Sequence, residues 1–204
     1  QSHVDTGAGL ERITSVLQGK TSNYETDLFQ PIIMEIESKS EVSYVENPVP
    51  FQVIADHIRM LCFSIADGAL PSNEGRGYVL RRILRRASRF GRVLKLDEPF
   101  LHNLVNTVCD LMSDAYPELN EKSTHIKLVI GTEETLFNKT LGRGINHLEK
   151  LIDSIGNEKV ISGDDAFKLY DTYGFPIDLT QLIARENNIE VDEDGFHLLM
   201  SKQK

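Results

Sequence analysis

The sequence predicts a mainly α protein. Apolar residues recur at helical spacing along most of the 204 residues, and no alternating stretch lasts long enough to build a sheet. Gly, Pro and capping residues fall between the periodic segments.

The elements follow in order. Val4 is expected to end a short strand, and the turn Asp5-Thr-Gly-Ala-Gly9 leads into Leu10, Ile13, Val16 and Leu17, one face of a helix closed by Gly19. Leu28, Phe29, Ile32, Ile33 and Ile36 mark a second helix, with Pro31 tolerated near its first turn. Residues 38 to 50 read as a polar loop ending in Pro48-Val-Pro50. Because a residue before proline is pushed out of helix, this loop is the expected boundary between structural units, giving domains 1–45 and 46–204. Phe51, Ile54, Ile58, Leu61 and Ile65 form the next helix up to Gly68, and the loop Ala69 to Gly77 follows. A basic helix is expected from Tyr78 to Leu94, then one from Pro99 at its N1 position to Tyr116, ended by Pro117. From Asn120 to Ile155 the pattern predicts one long helix, with a break near Gly142 and Gly144 as the alternative. Ser162-Gly-Asp-Asp165 resembles a capping box, with Asp in place of Glu, opening a short helix capped by Gly174. Helices at Leu179–Glu186 and Asp192–Lys202 complete the chain.

Cys62 and Cys109 stand far apart with no CxxC, which indicates neither a disulfide framework nor a sulfur-rich zinc site. None of the six His residues shows HxxxH spacing, so no metal is expected. No apolar run approaches the ~20 residues of a membrane span and no signal-peptide pattern is present, so a cytoplasmic location and no membrane partner are expected. The chain starts at Gln1 and stops without a helix-ending residue, as a piece of a longer protein would.

Net charge of −9, from 22 basic and 31 acidic residues, argues against nucleic-acid binding when taken as a whole. Its distribution reverses the argument. Between Arg76 and Lys95 lie seven Arg, one Lys and no acid, so a local charge of +8 stands against −17 on the other 184 residues. At 100° per residue, Leu80, Ile83, Leu84, Ala87, Gly91 and Leu94 fall within about 50° of one direction. Arg81, Arg82, Arg85, Arg86, Arg89 and Arg92 span the other side, a guanidinium rail about 16 Å long. Arg grips phosphate bidentately, and an all-Arg face favours a polyanion. The alternatives are a solvated face paired to acids elsewhere in the chain and a non-enzymatic module docking an acidic partner.

Gly7-Ala-Gly9 lacks the third glycine and the βαβ setting of a dinucleotide fingerprint. Two glycines nevertheless let backbone approach a ligand, and Arg12 in a first helical turn opposes the helix dipole unless an anion such as phosphate is near.

Val4-Asp-Thr-Gly-Ala-Gly-Leu-Glu-Arg12 and Ser22-Asn-Tyr-Glu-Thr-Asp-Leu-Phe29 resemble the third class II signature motif of alanyl-tRNA synthetases and the segment after it. Ala55-Asp-His-Ile-Arg59, Ala66-Asp-Gly68, the run from Pro71 through Gly75-Arg-Gly77 to Arg86, and Leu169-Tyr-Asp-Thr-Tyr-Gly-Phe-Pro176 resemble that family's tRNA-recognition region in order. The resemblance covers essentially the whole chain, and Ser72-Asn-Glu leans towards a bacterial-type member. It implies the last strand-turn-helix (motif 3) of a class II catalytic domain followed by a helical tRNA-recognition domain. It also implies an alanine–tRNA ligase that uses ATP with Mg, with alanine and the tRNA(Ala) acceptor stem and its G·U wobble pair as partners. The family's zinc-bearing editing domain and its first two motifs have no counterpart in these residues, so the isolated chain is expected to be inactive, and a self-sufficient ligase is disfavoured.

Carried over residue by residue, Arg12 resembles the catalytic arginine that holds ATP phosphate, with Gly7 and Gly9 shaping the adenine floor. Asn73 and Asp171 fall where the family recognises the wobble pair. Arg76, Arg81, Arg82, Arg85, Arg86 and Arg89 are the expected tRNA-binding arginines. On residue chemistry alone, Asn73 in a loop before a helix equally suits a turn or cap. Asp171 near a helix C-terminus faces the negative end of the dipole and needs a hydrogen-bonded neighbour or a partner with donors.

Overall fold

A computed structural model describes residues 7–155 and 159–203, and the strand expected to end at Val4 lies outside them. Ten α-helices and a two-residue strand pair make up the described chain: α1 Leu10–Leu17, α2 Gln30–Lys39, α3 Pro48–Ala66, α4 Gly75–Val93, α5 Leu104–Met112, α6 Glu118–Glu121, α7 Ser123–Ile155, β1 Val160–Ile161, α8 Gly163–Tyr173, α9 Ile177–Glu186, β2 Glu190–Val191 and α10 Glu193–Gln203. The mainly α expectation holds.

The chain forms two compact units, Gln1–Glu134 and Thr135–Lys204. In the first, α3 is the central element. Phe51, Ile54, Ile58, Leu61 and Cys62 are fully buried, sharing one core with Ile32, Ile33 and Ile36 of α2, Leu84 of α4 and Val105 of α5. The expected boundary at residues 45 and 46 therefore marks no gap in packing, because residues on both sides of it fill the same core. Pro48 instead starts α3 at a position where its missing N–H costs nothing. At 19 residues α3 is also the one described helix long and apolar enough to cross a membrane by length and composition. That exceeds the apolar runs expected from sequence, and core burial of its apolar face accounts for it.

Pro99 does not start a helix. A short 3-10 turn at Leu101–Asn103 leads into α5, with the side chains of Phe100 and Leu101 both buried. α7 runs unbroken over 33 residues, so the glycines at 142 and 144 do not interrupt it. Gly144 is instead where Phe175 packs, leaving no room for a Cβ.

The second unit builds its core from Phe137, Leu148, Ile161, Ala166, Leu169, Phe175 and Phe196. The Ser162 hydroxyl accepts from the Asp165 backbone N–H at 3.1 Å, the N-cap half of the expected box, while the Asp165 carboxylate accepts from the Ser162 hydroxyl at 2.7 Å instead of reaching back to the Ser162 N–H; Gly174 ends α8 in the left-handed conformation. A parallel pairing of Val160 with Glu190 and Ile161 with Val191 escaped the sequence reading, since two-residue strands carry no alternation to detect.

Candidate functional site

α4 is anchored on one side and charged on the other. Leu84 and Ala87 are fully buried and Leu80 nearly so, while Arg76, Arg82 and Arg86 are exposed and Arg81, Arg85 and Arg89 half-buried. The entry to the helix is set by two glycines. Gly75 opens it at φ 57°, a left-handed value that strains other residues, and a Cβ at Gly77 would collide with the Leu70 carbonyl oxygen and the Ser72 side chain. The loop at residues 70–73 thus lies directly over the first turn of α4. The Ser72 hydroxyl donates to the Glu74 carbonyl at 2.8 Å and holds that loop closed.

This places Asn73 beside the rail. Its side-chain carbonyl accepts a hydrogen bond from Arg81 Nη1. The cap role is not seen, since α4 has no side-chain cap and its N-cap residue is Glu74, while Asn73 itself lies in the bend at residues 73–74.

The rail is not uniform. Arg81 Nε lies 3.0 Å from Glu133 Oε1, and Arg85 donates to the same oxygen from Nε at 3.2 Å and Nη2 at 3.1 Å. Glu133 is only 7 % exposed, and a carboxylate so buried requires paired charge. Arg81 and Arg85, one helical turn apart, would repel each other without an acid between them. Arg92 approaches Asp97 at 3.7 Å. Acid pairing inside the chain and an outward cationic edge therefore coexist on one helix, on different arginines.

Glu133 was missed by sequence reasoning, although a signal was present. In α7 the buried apolar rhythm of Ile126, Ile130 and Phe137 steps across two adjacent acids, Glu133 and Glu134, both buried. Glu134 faces a different environment from its neighbour. It accepts from the Leu101 backbone N–H at 3.0 Å, and burial pushes its carboxyl up to about 7 against the lowering effect of the Phe100 and Leu101 amides.

The glycine turn joins the first unit through Glu11. Arg59, 8 % exposed, donates to Glu11 Oε1 at 2.9 Å and lies 4.4 Å over the Phe29 ring. Two of the segments singled out in the sequence, at Gly7–Arg12 and Ala55–Arg59, are thereby brought together. The next carboxyl along, Asp56, is held below its usual range chiefly by its hydrogen bond with His57. Gly7 and Gly9 are exposed, Gly9 has φ 79°, and Arg12 is exposed with its stem against Gly9.

Asp171 occupies the last turn of α8 and is exposed, two residues before the Tyr173 end of the helix. It belongs to the second unit and Asn73 to the first. Buried Leu169 and the edge-on contact of Tyr170 with Phe196 at 5.6 Å fix the helix from which it projects. Among the described residues no cluster of three or more His, Cys, Asp or Glu side chains could hold a metal ion.

The comparisons with known proteins agree with one another. Curated proteins named alanine–tRNA ligase are similar along essentially the whole chain. That of Halalkalibacterium halodurans is 52 % identical over 209 residues, covering all of this chain and 24 % of the relative. Those of Magnetococcus marinus and Staphylococcus epidermidis are each 53 % identical, over 98 % and 99 % of this chain and 23 % and 24 % of their own lengths. The chain thus spans about a quarter of the relatives it matches. The family model described as tRNA synthetases class II (A) matches residues 1–204, and the chain belongs to that family.

Proposed function

We propose that this chain is the part of an alanine–tRNA ligase that grips the tRNA acceptor stem and reads its G·U wobble pair. The observation that carries the reading is the geometry of α4: a helix fixed by a buried face, with Arg76, Arg82 and Arg86 exposed along it and Asn73 at its N-terminal end. Phosphate contacts position a nucleic acid and base contacts specify it. The exposed arginines suit the first task and Asn73 with Asp171 the second. A wobble pair shifts uracil and leaves the guanine exocyclic amino group without its usual partner. A carboxylate, which only accepts, suits that amino group, and an amide, which donates and accepts, suits a neighbouring edge.

On this reading residues 1–45 and 46–204 differ in task rather than in packing. Residues 46–204 hold the RNA-recognising side chains. The first segment supplies Arg12 to ATP, the second substrate beside alanine, which the family uses with Mg. An exposed guanidinium in the first turn of α1, beside the N–H groups of a helix start and a Gly9 backbone that carries no side chain, fits a polyphosphate.

Binding to acceptor-stem hairpins with G·U or G·C at the same step, at several salt concentrations, tests the proposal. The chain is expected to prefer G·U. Arg86→Ala weakens both hairpins alike and flattens the salt slope by about one. Asn73→Ala and Asp171→Ala each erase the preference, by about 1 to 3 kcal/mol. Equal affinity of the unaltered chain for both hairpins with a shallow salt slope would sink the reading.

A further inference from the structure

Arg81 decides how Asn73 can act. A guanidinium has donors only, so the Asn73 amide must meet it through the carbonyl oxygen, as the structure has it, and the amide NH2 is turned away from Arg81. Arg81 is held in its turn by charge: its Nε sits 3.0 Å from Glu133 Oε1, an ion pair without hydrogen-bond alignment, and that oxygen is fixed from a second direction by hydrogen bonds from Arg85 at 3.1 and 3.2 Å. Glu133 lies at a buried position of α7, far along the sequence from the loop at 70–73, and is too deep to meet a ligand itself. The three side chains form a relay from a buried carboxylate to an exposed amide.

We infer that Glu133 is a positioning residue for base-pair discrimination: through Arg81 it holds Asn73 with its NH2 group outward, so that Asn73 works as a donor to an acceptor on a base edge. The inference deepens the wobble-pair reading and rests on it. It divides polarity between the two reading residues, Asn73 donating and Asp171 accepting. It also gives Glu133 a cost in affinity, since the carboxylate occupies Arg81 and Arg85 and keeps them from phosphate. Discrimination and general RNA affinity are set against each other at this one acid.

The test compares the 204-residue chain with Glu133→Gln and Arg81→Lys on the G·U and G·C hairpins, with thermal melts to confirm folding. Glu133→Gln is expected to lower the G·U to G·C affinity ratio at least fivefold while affinity for the G·C hairpin rises. Arg81→Lys keeps the charge but cannot fork between Asn73 and Glu133, and it lowers the ratio to a similar extent. Adding Asn73→Ala to either variant lowers the ratio by less than the product of the two single effects, as residues acting through one another require. Without RNA, the Asn73 side-chain NH2 resonances in an amide nitrogen-proton NMR spectrum move in both variants. A purely structural role would instead weaken both hairpins alike and leave the ratio intact. An unchanged ratio in a folded Glu133→Gln or Arg81→Lys variant, with Asn73→Ala still erasing the preference, overturns the role of Glu133 and spares the wobble-pair reading. A preference that survives Asn73→Ala overturns both, and unmoved Asn73 resonances overturn the relay.

Discussion

α1 and α4 are both amphipathic helices that carry candidate phosphate-binding arginines, and they meet opposite fates. The apolar side of α4 is buried against the core, with Leu84 and Ala87 fully covered. On α1 the corresponding stripe is open, with Leu17 81 % and Val16 76 % exposed, and Ser15 is its one buried residue. What ties α1 to α3 is a charged contact, Glu11 to Arg59, and its C-terminal end is held to the following turn by the Asp27 N–H donating to Gln18 at 3.2 Å. The difference separates two kinds of arginine. Those of α4 project from a platform fixed by core packing. Arg12 stands on a helix whose apolar face is half covered at Leu10 and Ile13 and open at Val16 and Leu17 among the described residues.

The sharpest way to break this contrast is to remove a side chain from the seat of α4. Leu84→Ala is expected to cost about 2 to 5 kcal/mol in urea unfolding, the range for a cavity in a close-packed core. A loss below 1 kcal/mol would mean that α4 is no better seated than α1.

A second, smaller effect comes from the acid behind that seat. The packing of α4 runs through Gly91, where a Cβ would collide with the Phe100 ring, and the segment after Phe100 is held by Glu134 through the Leu101 N–H. Its carboxyl is raised from 4.5 to about 7, so between those values the folded protein keeps a proton that the unfolded chain has released. Stability from this group is therefore complete below about pH 4.5 and lost as pH rises through about 7. Wild type should lose about 1 to 3 kcal/mol over that interval relative to Glu134→Gln, measured by unfolding at pH 5 and pH 8. Parallel pH dependence in the two proteins would remove Glu134 from the account.

Much of the contrast was legible in the sequence and its decisive part was not. The two faces of α4 followed from 3.6-residue periodicity, the Ser162 N-cap from side-chain chemistry that acts within four residues, and the Gly174 cap from the left-handed backbone that glycine adopts freely. The class II resemblance singled out Asn73 and Asp171 as candidates. Periodicity states that a face is apolar but not whether another element covers it, so α1 and α4 read alike. Glu133 reaches Arg81 and Arg85 only through tertiary packing, which local spacing does not encode. The division between Glu134 and Thr135 was hidden for another reason. It falls inside the unbroken α7, where no proline, glycine run or polar loop announces it.

The smallest expected effect sharpens the comparison from the α1 side. Leu17→Ser on a covered helix would remove several buried methyl and methylene groups and leave a hydroxyl without a partner, for a loss of several kcal/mol. At 81 % exposure neither term applies, because the side chain already lies in water in the folded state and gains nothing from leaving it. What remains is the difference in helix propensity between Leu and Ser at the last helical position, where a side chain influences few backbone hydrogen bonds. The change in unfolding free energy is therefore expected to stay within about 0.5 kcal/mol, in urea melts run beside Leu84→Ala. A loss above 1 kcal/mol would show that the apolar face of α1 is covered in solution, and the distinction between the two helices would then have to be sought in their charges alone.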